Sequence, residues 1–104
     1  MASTDTISSL GKLKQWKSVV ATGSTGNAFK LDKFPVTITL VCSSSSGYIQ
    51  FSTSSYEEID AGTATWSIWS RGTISSTATD IPEGPVTGLR GVSSSGAVTL
   101  EVVL

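Results

Sequence analysis

Val36-Thr37-Ile38-Thr39-Leu40-Val41-Cys42 is the stretch that decides the fold class. Val36, Ile38, Leu40 and Cys42 fall on one side of an extended chain, with Thr37, Thr39 and Val41 on the other. That period of two is the pattern of a half-buried strand. Ser43-Ser44-Ser45-Ser46-Gly47 follows as a loop, and Tyr48 to Ser52 is expected to return as its hairpin partner. Upstream, Asp32-Lys33-Phe34-Pro35 turns the chain, Ala28 to Leu31 makes a short strand, and Thr22 to Asn27 is a turn cluster. Leu13, Trp16, Val19 and Val20 fit either a short helix or a strand, and extended structure is favoured from Gln15 onward.

Working toward the C-terminus, Ser54 to Asp60 reads as an acidic edge or connection. Thr63 to Ser70 reads as a second strong strand, placing Ala64, Trp66 and Ile68 on the core face and Trp69 on the other. Ile74 extends a short strand after Arg71-Gly72, and Asp80 to Pro85 forms a rigid corner with two prolines. Val86 to Val92 and Ala97 to Leu104 are expected to form a terminal hairpin around Ser93-Ser94-Ser95-Gly96. Seven or eight short strands with turn signals between them predict an all-β fold, a small antiparallel β-sandwich that is jelly-roll-like. Residues 1–9 are small and polar and read as a flexible N-terminal arm, with residues 10–104 as a single domain. No repeat and no dividing linker is visible.

Composition agrees with a sheet protein. Ser and Thr make up about a third of the 104 residues, and charged residues only 14% against roughly 25% in an average domain. Threonine favours strands, while serine with glycine favours turns. Net charge is -1, with no basic stripe of the kind nucleic acid demands. No run approaches the ~20 apolar residues of a membrane-spanning helix. The N-terminus lacks the basic and apolar segments of a signal peptide, which implies synthesis in a cytoplasm.

Histidine is absent altogether. That removes the commonest general base, the usual triad member and the commonest metal ligand at once. Cys42 is the only cysteine, so no internal disulfide and no structural zinc site is expected, and its apolar run predicts a buried thiol. Glu57, Glu58 and Asp60 are near one another, but a solvated acidic loop explains them more simply than a carboxylate pair or a calcium loop. No cofactor is expected, and the chain is expected not to be an enzyme.

Candidate partner contacts are Lys12, Lys14, Trp16, Lys17, Trp69 and Arg71. Lysines cluster in the first third and carboxylates later, so a basic edge of one copy meets an acidic patch elsewhere, or both are simply solvated. Trp66 is assigned to the core. Trp16 and Trp69 are either exposed platforms or covers for the sandwich ends.

The C-terminal half, through Gly84-Pro85-Val86-Thr87-Gly88-Leu89-Arg90, Ser93-Ser94-Ser95-Gly96 and Ala97-Val98-Thr99-Leu100-Glu101-Val102-Val103, resembles small β-rich virion proteins of tailed bacteriophages. The resemblance implies a virion protein made in a bacterial host. Its role would be a capsid decoration (cement) protein on the major capsid protein, or a neck or tail accessory, and its state a dimer or trimer. Two alternatives stay open: a carbohydrate- or receptor-binding module of a fibre, stacking sugars on Trp16, Trp69 or Tyr56, and a small adhesion or pilus-like subunit.

Overall fold

A computed structural model describes residues 3–10, 13–31, 36–82 and 86–104. Nine strands and one short helix follow in the order β1 (Ser3–Leu10), β2 (Leu13–Val20), β3 (Phe29–Lys30), β4 (Thr37–Cys42), β5 (Ser46–Ser52), α1 (Tyr56–Ala61), β6 (Ser67–Ile68), β7 (Ala78–Asp80), β8 (Gly88–Ser95) and β9 (Val98–Val103). They form two antiparallel sheets in the orders β1-β2-β9-β4-β7 and β3-β8-β5-β6.

The pairing pattern identifies a jelly roll. Strand β5 pairs with β6, β4 with β7, β3 with β8 and β2 with β9, so the chain is one long ribbon folded back near α1. Rolling that ribbon up adds the β4–β9 and β5–β8 pairings and closes the two sheets over a common core. Ile38 and Leu40 of β4 are buried facing inward, as their alternation predicts, together with Ile49 of β5, Leu89 of β8 and Leu100 of β9. The sandwich expected from the sequence is the fold observed.

Two expected hairpins are corrected. β4 and β5 lie in opposite sheets, and so do β8 and β9, so each Ser/Gly loop is an arch that crosses the core. The physical reason is that each of these strands has one apolar face, and facing one another buries both at once. A turn signal announces that the chain reverses, not whether the two strands pair or stack. Ser44 and Gly96 supply the left-handed backbone in these two arches, at φ 55° and 69°. The loops also touch, since a Cβ on Gly96 would lie 2.8 Å from that of Ser45.

Three further segments differ from expectation. Positions 3–9, assigned to an arm, belong to edge strand β1, which pairs with β2 in unbroken register from Ser3↔Val20 to Leu10↔Leu13. Backbone pairing needs no apolar pattern, so a polar edge strand leaves little trace in composition. Ser54 to Asp60 holds α1, whose Ser55 and Glu58 form a reciprocal capping box and whose Gly62 ends it. The strand expected over Thr63 to Ser70 shrinks to Ser67–Ile68. Trp69 then turns inward to 6% exposure, while Ile68 is 52% exposed. Trp66 lies on the outer face of the second sheet beneath Arg90, whose guanidinium carbon sits 4.1 Å from the ring centre.

Ser18 is an anomaly in the core. It is fully buried on the inner face of β2, in register with Leu100, and its hydroxyl has no hydrogen-bond partner among the described residues. A buried hydroxyl without a partner carries an unrecovered desolvation cost. Ser18→Ala is therefore expected to raise stability by about 1 kcal/mol, read as a higher urea midpoint with unchanged slope. A lower midpoint would show that the hydroxyl is satisfied.

Candidate functional site

The two sheets close differently along their two sides. On one side Trp16 of β2 stacks on Phe29 of β3, with ring centres 4.7 Å apart and planes 22° from parallel. On the other side the edge strands are β6 and β7, only two and three residues long, and the sheets part there. A cleft of about 550 Å³ opens between them. Its floor is Ile38, Ile49 and Leu89; Phe51 and Trp69 form one wall, and Ile81, Pro82 and Val86 the other. Ile68 and Ile81 stand at the mouth, each more than half exposed.

Polar groups at this cleft are few. Thr53, Ser70 and Asp80 line it. Arg71 donates through Nε to Asp80 at 3.1 Å and through Nη2 to the carbonyl of Thr79 at 3.2 Å, tying the loop after β6 to β7. The pair is part-exposed, so it positions the loop more than it stabilises the fold. Trp69 is held at both ends: its backbone N–H donates to Ile49 at 2.9 Å, and Nε1 donates to the Gly72 carbonyl at 2.6 Å. The indole is thus fixed as one wall of the cleft with its polar atom satisfied.

The six residues singled out from sequence do not converge. Trp69 and Arg71 lie at this cleft. Lys14 and Trp16 border a second, shallower groove on the opposite side, shared with Ile7, Phe29, Lys30 and Tyr56. Lys17 is on the outer face, 3.4 Å from Glu101, and Lys12 lies outside the described residues. Neither Trp16, at 5% exposure, nor Trp69 is an open stacking platform. Tyr56 is partly exposed, but its hydroxyl donates to the Leu31 carbonyl. Sequence reasoning missed Ile68, Ile81 and Phe51 as cleft residues, because a site between two sheet edges depends on which strands become edges. The proline corner after Asp80 was its only local signal.

Reactive chemistry is sparse among the described residues. No three His, Cys, Asp or Glu side chains come together there as a metal would require. Cys42 is buried, and that burial pushes its thiol pKa upward, away from a nucleophilic thiolate. Lys30 pairs with Asp60 at 3.0 Å on the surface, and Glu58 is engaged by the helix cap.

No protein-family model and no curated protein matches this sequence. Solved structures match it in shape. An oxalate oxidase aligns over 98% of this chain and 50% of its own, at 10% identity and a TM-score of 0.60. The same enzyme type bound to the substrate analogue glycolate aligns at 11% identity and a TM-score of 0.58. Peruvianin-I, a cysteine peptidase from Thevetia peruviana latex, aligns over 98% of this chain and 60% of its own, at 9% identity and a TM-score of 0.58. The chain spans about half the length of the oxalate oxidase chains it matches. The capsid-decoration role expected from the C-terminal half is corrected here: the solved structures similar over nearly the whole chain include oxalate oxidases, and no match points to a virion protein. At such identities the likeness carries the fold alone: a jelly-roll sandwich, shared with oxalate oxidase across nearly the whole chain.

Proposed function

We propose that this domain binds a small, largely apolar ligand in the cleft between β6 and β7 and performs no chemistry on it. The observation that carries this reading is the cleft itself. Its volume of about 550 Å³ lies within the usual range for small-molecule sites, and its lining is apolar with a few polar groups placed at the rim. Burying aliphatic or aromatic ligand surface there would supply about 25 cal/mol per Å². Ser70, Thr53 and the Arg71–Asp80 pair would then orient whatever polar end the ligand has.

A peptidase role finds little support in these residues. The neighbour described as a cysteine peptidase has its activity in its name, but here the lone cysteine is buried and the chain has no histidine to activate it. Among the described carboxylates, Asp80 is paired with Arg71 and Glu101 with Lys17. A binding role asks nothing of such groups.

The reading is tested by titrating decanol and naphthalene into isotopically labelled protein. Saturable shifts of the Ile68, Trp69 and Ile81 backbone signals are expected for at least one of the two. Ile81→Asp at the mouth should weaken that binding about tenfold while leaving the melting temperature nearly unchanged, since Ile81 is exposed. Shifts scattered over the surface, or binding that ignores Ile81→Asp, would remove the cleft from consideration.

A further inference from the structure

The edge of the larger sheet makes a second and independent surface. Strand β1 is eight residues long and terminates the five-stranded sheet, with no pairing partner on its outer side among the described residues. The other sheet edges, β3, β6 and β7, are two or three residues long. Short edges protect themselves against pairing, as do lysines, prolines and bulges. β1 has no lysine and no proline, and its register with β2 shows no shift. No described strand pairs with its outer backbone edge.

β1 also overhangs the sandwich. Five strands face four, so the core-side face of β1 has no strand opposite it. Ile7 sits there in register with the buried Trp16, yet is 69% exposed, higher than any other large hydrophobic among the described residues. An aliphatic side chain at the middle of an unpaired edge, beside a groove that Trp16 and Phe29 also line, is surface left for a partner.

We infer that β1 pairs antiparallel with β1 of a second copy of this chain, about a two-fold axis through Ile7, joining two five-stranded sheets into one of ten strands. The register is chosen by charge and apolar matching on the core-side face. With the axis at Ile7, the two Ile7 side chains meet as a directly opposed cross-strand pair. Asp5 then stands opposite position 9 of the other copy, and position 9 is in register with Lys14. Asp5 and the other copy's Lys14 are two strand spacings apart, about 10 Å between Cα atoms, which extended lysine and aspartate side chains span. Asp5 also accepts a hydrogen bond from Asn27 Nδ2 at 3.3 Å. An axis at Asp5 would instead oppose two like charges, and an axis at Thr6 would set each Asp5 against Ile7. Because the interface is isologous, it closes at two copies and does not propagate.

Analytical ultracentrifugation of the full chain over a wide concentration range tests this. The expected result is a monomer–dimer equilibrium. Ile7→Lys, which puts two ammonium groups on the axis, should weaken it at least about tenfold with an unchanged circular dichroism spectrum. Asp5→Lys and Lys14→Asp should each weaken dimerisation, and the double exchange should restore it. That restoration separates the proposed register from a general loss of folding. A strictly monomeric chain, a trimer, or a dimer indifferent to Ile7→Lys and to the charge exchange would each overturn the inference.

Discussion

Trp69→Ala is expected to destabilise the domain by about 3–5 kcal/mol, the cost of emptying a large aromatic site in a core. Trp66→Ala, three residues away, is expected to cost about 1 kcal/mol, mainly its stacking beneath Arg90. The difference follows from where each indole stands. Trp69 is 6% exposed, closes one wall of the cleft, and has its N–H bonded to the Gly72 carbonyl. Trp66 is half-buried on the outside of the second sheet, near Ile59 and Gly88. For a domain of about 100 residues a loss of this size at Trp69 lowers the melting temperature by more than about 12 °C, and it approaches the whole stability of a marginal fold. Urea unfolding of the two variants decides the matter. A larger loss at Trp66 would restore the alternating strand over Thr63 to Ser70 and would dismantle the cleft as described.

That pair of tryptophans shows where sequence reasoning succeeds and where it stops. Alternation places Ile38, Leu40, Val98, Leu100 and Val102 on inner faces, and all five are buried. In the middle of a sheet, each such strand is paired on both sides and its two faces differ in solvation, so the period of two is enforced. Between residues 63 and 70 the chain runs along an edge, pairs over only two residues, and then bends to bring Trp69 inward. The period fails where pairing fails. The helix α1 went unread although Ser55-Tyr56-Glu57-Glu58 is a capping-box spacing and Gly62 a stop signal, because its residues carry no apolar stripe and none is buried. The crossing of β4 to β5 and of β8 to β9 between sheets was not legible, because serine and glycine suit an arch and a hairpin equally. The cleft inherits that limit, being built from whichever strands become edges.

The second large effect is expected at Gly47, where the obstacle is a backbone atom. Gly47 opens the regular part of the β5–β8 ladder, opposite Ser93, next to a register shift between Ser46 and Gly47. On its other side it exchanges two hydrogen bonds with Ile74, at 3.0 and 2.8 Å. A Cβ at this position would overlap the carbonyl oxygen of Val92 and press Val98 at 3.3 Å. Neither neighbour yields cheaply, because Val92 belongs to β8, paired with β5, and Val98 is buried in the core. Gly47→Ala is therefore expected to cost about 3 kcal/mol or more, at the upper end for overpacking a close-packed interior. Gly23→Ala is the control. Gly23 has φ +68° but open space around it, so its cost is conformational and about 1 kcal/mol. Denaturant midpoints for the two variants separate steric from conformational cost. A Gly47→Ala variant as stable as Gly23→Ala would mean that β8 slides to accommodate the methyl group. The register shift, and with it the nesting of the two arches at that end of the sandwich, would then be adjustable features of this jelly roll.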